Sequence, residues 1–306
     1  MLLAGVSVVV GCRAADTDAV TPVPQVLAFL PWLLVPAGLA LLLALLTRWR
    51  TGLVWAVVAL GFVAWYIEPY GRTRAPAGPA LAELRVMTSN VEFGRGTGSL
   101  IETVRRRAPD ILFVEECEYG CSRALADAFG GSGGAYPYRA AVEGAGSDGS
   151  LVLSRFPLRP AAGVHGTMGM PGAFADVRGH TVGLQLAHPM PPIPGQVGVW
   201  RRELGALRHY AANSRGPTIV AGDFNASQDH AVFRRVLDTG LYDSARLAGS
   251  PRTPSWPART TPEFGAQIDH VLVSADFSAR RTAFPRIDGT DHRALVVDLT
   301  LHERRG

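Results

Sequence analysis

The sequence predicts an α/β (α+β) sandwich, two packed β-sheets flanked by helices, preceded by N-terminal transmembrane helices. Three observations carry this. Long charge-free apolar runs crowd residues 1–70. From residue 85 onward, apolar runs of strand length alternate with stretches of helical period, the pattern of sheets covered by helices. Polar, ionisable residues then gather where those strands end, which is where a rigid sheet presents chemistry to open loops.

The apolar runs come first. Residues 24–46, PQVLAFLPWLLVPAGLALLLALL, contain no charge. Such a length as one helix crosses a hydrocarbon core of about 30 Å. TRWR follows at 47–50, then a second run, GLVWAVVALGFVAWYI, at 52–67. Trp65, Tyr66 and Tyr70 sit at its end, as an interfacial aromatic belt does. The two runs read as a transmembrane hairpin within an anchor spanning residues 1–70. Residues 2–10 are apolar but too short to span, and 1–12 reads as the end of a truncated first helix. The absence of a basic leading region argues against a signal peptide. Arg48 and Arg50 between the spans, against one Arg and two Asp in 13–22, place TRWR in the cytoplasm. Everything after residue 70 is then extracytoplasmic, although Arg72 and Arg74 pull the other way. The expected localisation is a multi-pass protein of the cell membrane.

Composition agrees with a chain of two natures. Hydrophobic residues make up 47% of its 306 residues, and charged residues only 18%. Soluble domains carry roughly 25% charge. All 30 basic residues are arginine, and the net charge is +4. Arginine suits phosphate, but a GC-rich coding sequence accounts for its use more simply, so charge alone does not argue for nucleic acid. Cys117 and Cys121 lie in CEYGC without zinc-like partners. They form a disulfide if the compartment is oxidising and are two free thiols otherwise.

The soluble portion opens with a Pro/Gly/Ala-rich linker at 71–84. Strands are expected at 84–91, 111–116, 150–158, 181–189, 218–225, 268–274 and 293–300. Helical faces are marked by Leu100, Val104 and Ala108, by Trp200, Leu204, Leu207 and Ala211, and by residues 231–238. The catalytic domain is read as 85–306.

Polar residues at the strand ends form one toolkit: Asn90, Glu115, Glu116, His188, Asp223, Asn225, Asp269, His270, Asp291 and His292. Each alone has an ordinary explanation, such as a turn, an Asx cap or a surface histidine. Together they suit phosphate-ester hydrolysis with a hard divalent ion, which carboxylates and amides bind. No GxxxxGK[ST] loop, HExxH pair or G-x-S-x-G elbow is present, so P-loop, zinc and serine-hydrolase chemistry lack support.

The segments TSNVEFG, DILFVEEC, GSLVLSRFPL, LQLAHP, AGDFNAS, QIDHVLVS and GTDHRALVVDL, over about residues 84–302, resemble in order and spacing the endonuclease/exonuclease/phosphatase superfamily. The resemblance implies a four-layered sandwich. It implies Asn90, Glu116 and Asp291 at the metal, Mg²⁺ or Mn²⁺. It implies His188 on the scissile phosphate, Asp223 activating water with Asn225 as its partner, and Asp269 supporting the phosphoryl-stabilising His292. Glu115 stands where glutamine is common and is expected to add charge. His270 stands where an aromatic is common and is read as facing away.

Three functions follow. The first is a membrane-anchored phosphoesterase acting on a phosphorylated, lipid-linked substrate, such as undecaprenyl pyrophosphate, at the bilayer. The second keeps the enzyme class but acts on nucleic acid. The third is an inactive sensor or scaffold, against which the complete motif set argues.

Overall fold

The structure, a computed structural model, describes residues 1–73, 78–131 and 133–304. The N-terminal part comprises α1 (Leu2–Ala14), α2 (Val23–Leu27), a 3₁₀ turn (Leu30–Leu33), α3 (Leu34–Leu46) and α4 (Arg50–Ile67). Small side chains let these helices approach closely. Ala37, Ala40, Ala56 and Ala59 pack with Leu3, Val6, Val10 and Val63. The outward faces are bare and apolar, with Leu42, Leu46, Val54, Val57, Phe62 and Trp65 all exposed.

The run 24–46 is not one helix, which corrects the predicted hairpin. Pro24 opens α2, and the chain leaves helical geometry at Phe29. Pro31 then starts the 3₁₀ turn, where its missing N–H costs nothing. What remains is a shorter apolar helical stretch, Leu30–Leu46. Among the described residues, Arg50–Ile67 is the one helix long and apolar enough to cross a membrane. Residues 2–10 belong to a helix that continues to Ala14.

The remainder is a sandwich. Its elements are β1 (Ala80–Asn90), α5 (Thr97–Arg107), β2 (Ile111–Glu115), α6 (Tyr119–Phe129), β3 (Tyr138–Val142), β4 (Ser150–Ser154) and β5 (Leu158–Ala161). Then come β6 (Gly172–Val177), β7 (His180–Ala187), α7 (Val197–Asn213), β8 (Thr218–Asp223), α8 (Ala231–Leu237) and β9 (Tyr242–Asp243). The chain closes with α9 (Ser244–Leu247), β10 (Asp269–Val273), β11 (Phe277–Ala283) and β12 (Leu295–His302). One sheet runs β11-β12-β1-β2-β4-β3 and the other β5-β6-β7-β8-β10-β9. Strand β1 begins at Ala80, so 80–84 belongs to the sheet rather than the linker. Residues 74–77 of that linker lie outside the described residues.

Alternation along each strand makes the layers. Leu84 and Val86 of β1, Ile111 and Phe113 of β2, and Ile219 and Ala221 of β8 fill the core between the sheets. Their neighbours Met87, Leu112 and Val114 face outward onto Leu100 and Val104 of α5 and Leu125 of α6. Val220 and Leu272 face Trp200, Leu204 and Leu207 of α7 and Phe233 of α8. The result is helix, sheet, sheet, helix.

Candidate active site

The same alternation builds the site. Counting by twos from the inter-sheet core, β1 carries Asn90 inward after Val86, and β2 carries Glu115 inward after Phe113. His188 follows Leu186, Asp223 follows Ala221, and Asp269 precedes Val271 on the same parity. Register aligns them. Asn90 pairs with Glu115 across parallel β1 and β2, and Asp223 with Asp269 across antiparallel β8 and β10. The core is therefore apolar along its length and polar at one end. Gly222 is required there. Its φ is +151°, and a Cβ would lie 2.0 Å from the carbonyl oxygen of Ala187, on the strand carrying His188.

Hydrogen bonds join the ends of the two sheets. Asn90 Nδ2 donates to Glu116 Oε1 at 3.0 Å and to Asp223 Oδ2 at 3.2 Å. His292 Nδ1 donates to Asp269 Oδ2 at 3.0 Å. His292 Nε2 lies 3.7 Å from Asp223 Oδ2 and 3.8 Å from Asp291 Oδ1. His188 Nε2 is 3.8 Å from Glu116 Oε1. Asn225 donates its backbone N–H to Asp223 Oδ1 at 2.8 Å, while its side chain holds the Pro189 carbonyl at 3.0 Å. It therefore positions Asp223 and the His188 loop. All eight residues expected from sequence meet in one cluster. Glu116 and Asn225 adopt left-handed backbone, at φ 55° and 48°. Such conformations in non-glycine residues collect at functional sites.

Burial and neighbouring charge set the protonation states. Burial lowers the His188 pKa to about 3, helped by the nearby His292, so His188 is neutral. Neither of its ring nitrogens has a hydrogen-bond partner among the described residues. Burial also raises Asp223 to about 7, opposed by His292 and reinforced by Asp269. His292 is pulled down by burial, but Asp269, then Asp223 and Asp291, outweigh this and hold it at about 10. It is an imidazolium at neutral pH. Glu115 is fully buried, and desolvation followed by Asp269 pushes its pKa well above the ordinary value. Its Oε1 accepts from Thr88 Oγ1 at 2.8 Å, which works against that shift, so burial disfavours the extra charge expected beside Glu116.

Two groups of side chains could hold a metal ion. Asp223, Asp269 and His292 present atoms within 4.8 Å of one another. A protonated imidazole has no free lone pair, however, and Asp269 is already occupied by it. Glu116 and Asp291 offer hard carboxylate oxygens on side chains that stay partly open, at 16% and 31% exposure, and Asn90 binds Glu116 through Nδ2 while its Oδ1 accepts the Glu92 N–H at 2.9 Å. That chemistry fits a divalent ion which keeps several waters.

Sequence reasoning missed several residues. Trp256 Nε1 donates to Asp291 Oδ2 at 2.9 Å and so fixes that carboxylate. Thr290 Oγ1 donates to the Asn90 carbonyl at 3.0 Å, tying the closing motif to β1. Trp256 lies in none of the quoted segments, and Thr290 opens the TDH of GTDHRALVVDL without a role that its position in the motif assigns. His270 faces away, with Nε2 donating to the Ala226 carbonyl at 3.0 Å and Nδ1 lying 2.8 Å from Asp243 Oδ2. Cys117 and Cys121 are joined as a disulfide just after Glu116, with Cα atoms 5.2 Å apart.

A second cluster grips the loop that follows Asp223. Asp18 is fully buried, and its Oδ2 accepts the Val232 N–H at 2.9 Å. His230 Nε2 donates to the Pro24 carbonyl at 2.7 Å. Arg252 donates to both oxygens of Asp229, at 2.6 and 2.8 Å, and to the carbonyls of Tyr66 and Ile67 at 3.0 and 2.8 Å. The N-terminal helices thus reach the segment four to seven residues beyond Asn225.

The Endonuclease/Exonuclease/phosphatase family matches residues 87–292, more than half of the chain. The chain belongs to that family. It is a metal-dependent hydrolase of phosphoester bonds. D. rerio TDP2 complexed with a single-strand DNA product aligns at TM-score 0.57 and 14% identity, covering 72% of this chain and 99% of that one. An AP endonuclease from Archaeoglobus fulgidus aligns at TM-score 0.56 and 15% identity, covering 70% and 98%. A family protein from Beutenbergia cavernae aligns at 0.54 and 20%, covering 72% of each chain. These likenesses concern the fold. No curated protein matches the chain significantly.

Proposed function

We propose a membrane-anchored, extracytoplasmic, Mg²⁺-dependent phosphoesterase whose substrate is a lipid-linked phosphate or pyrophosphate, with undecaprenyl pyrophosphate as a candidate. One observation carries the lipid reading. The apolar N-terminal helices are locked, through Asp18, Pro24 and the Tyr66–Ile67 carbonyls, onto the loop that follows the catalytic Asp223. A loose tether would leave the site anywhere; this arrangement holds it beside the anchor. Residues 13–24 and the exit of α4 meet the same part of the catalytic sandwich. The Cys117–Cys121 disulfide supports an oxidising compartment.

Glu116, Asn90 and Asp291 would hold the ion, which when bound supplies positive charge against the phosphoryl oxygens. The protein groups supply the rest. His188, neutral and unpartnered, offers a ring N–H to a non-bridging oxygen. His292, protonated and braced by Asp269, offers Nε2–H where negative charge develops. Asp223, once deprotonated, takes the proton of the attacking water. Asn225 and Asn90 hold Asp223 from two sides.

A second reading, hydrolysis of nucleic acid, draws on the TDP2 neighbour solved with a DNA product. Purified full-length protein with Mg²⁺, assayed on a lipid pyrophosphate, inositol phosphates and plasmid DNA, separates the two. Turnover of the lipid is expected, and cleavage of DNA alone overturns the lipid reading. A periplasm-dependent reporter fused after residue 75 is expected to be active. Silence there inverts the topology.

A further inference from the structure

We infer that residues 24–29 complete an apolar subsite beside His292, which receives the hydrocarbon chain attached to the scissile phosphate. The inference rests on the phosphoesterase reading and deepens it.

A cavity of about 250 Å³ lies between the N-terminal segment and the catalytic loops. Pro24, Ala28 and Phe29 form one wall, and Pro191, Ile193 and Trp256 face them. Asn225 and His292, both members of the catalytic cluster, line it too. A molecule in this slot therefore ends at the phosphoryl site. The wall contains no arginine or carboxylate. Its other histidine, His230, is spent on both sides, since Nδ1 accepts the Ser227 N–H and Nε2 donates to the Pro24 carbonyl. Gln25 also lines it, its Nε2 donating to the Pro192 carbonyl and its Oε1 buried without a partner among the described residues, and away from that one amide the slot rewards apolar contact.

Aromatic packing gives the wall its form. Phe29 stacks on Phe264 at 5.5 Å and tilts against Trp256 at 6.0 Å, and Trp32 meets Phe264 at 4.8 Å. Trp256 also holds Asp291, so one side chain both lines the slot and braces the site. The volume falls below the roughly 300–1,000 Å³ of sites that enclose a drug-sized ligand. A stretch of aliphatic chain fits, whereas a nucleotide needs more room and charged partners. The occupant also has a source. Phe29 leads directly into Leu30–Leu46, whose outer face exposes Leu34, Val35, Leu39 and Leu42. A chain lying along those helices reaches the slot without crossing water.

The test uses the full chain in lipid nanodiscs with n-alkyl diphosphates from ethyl to octyl, all soluble as monomers. In the native protein kcat/KM is expected to rise with length, by up to about fourfold per buried methylene, and at least tenfold from ethyl to octyl. Ala28→Phe fills the slot, and Ile193→Asp puts a charge in its wall. Each is expected to cut the octyl-to-ethyl ratio at least tenfold. A flat series in the native protein overturns the subsite and leaves the phosphoesterase reading standing. So does an unchanged ratio in both variants. Failure to turn over any alkyl diphosphate brings down the subsite together with the lipid-pyrophosphate reading. The native series needs no variant to fold.

Discussion

Individual side chains make the sharpest claims. Asp223 is the buried carboxylate with a pKa of about 7, so Asp223→Ala is expected to lower kcat by at least about a hundredfold. Its deprotonation sets the acid limb, with activity rising as pH passes about 7. His292 sets the alkaline limb, because it loses its proton as pH passes about 10. Asp269 is the largest influence holding that proton, so Asp269→Asn is expected to shift the alkaline limb to lower pH. A pH–rate profile whose alkaline limb does not move removes His292 from the role. Glu115 gives the opposite kind of test. Because burial and Asp269 disfavour its charged form, Glu115→Gln is expected to leave kcat/KM within about threefold. A larger loss, or a changed Mg²⁺ requirement, means the carboxylate is ionised after all.

At the scale of elements, the strands that carry the site were legible, as were β4 and β12, whereas β3, β5, β6, β9 and β11 were not. β2, β8 and β10 are apolar runs bounded by turn residues, and their ends announced Glu116, Asp223 and Asp269. β3 is an edge strand with mostly exposed side chains, so no alternation marks it. β6, GAFADV, is built largely of small residues between glycine and proline and reads as loop. Asn225's role was legible only in part, since its side chain closes on Pro189, a contact that pattern does not encode. The run 24–46 misled because hydropathy counts apolar length and ignores that Pro24 and Pro31 interrupt helical geometry. Gly222 yields a prediction here. A methyl group 2.0 Å from the Ala187 carbonyl forces β7 and β8 apart, and those strands hold His188 and Asp223. Gly222→Ala is expected to destabilise the fold by about 1–3 kcal/mol and to lower kcat/KM at least tenfold. Normal kinetics in a folded variant show that the spacing of those strands is not critical.

The whole molecule depends on how its two halves are joined. Sequence carried no warning of this join, because Asp18, Asp229, His230 and Arg252 lie in no motif and acquire meaning only in contact. Arg252 is the keystone. It neutralises Asp229, whose side chain is fully buried, and caps the last carbonyls of α4. Once Arg252 is removed, the nearest cation to Asp229 is Arg13, at 3.9 Å. Breaking a buried ion pair from one side costs about 3–5 kcal/mol, because the remaining charge stays desolvated. The energy is lost locally, at the seam between α4 and the loop after Asn225. Arg252→Ala is therefore expected to raise amide hydrogen exchange in residues 225–232 and at the end of α4, while β1 and β2 stay protected. If the anchor's role is to hold the site beside lipid, the same variant lowers turnover of a membrane-embedded pyrophosphate more than that of a short soluble one. Equal losses on both substrates assign the seam to stability alone. Unchanged exchange at the seam shows that Arg252 does not join the halves.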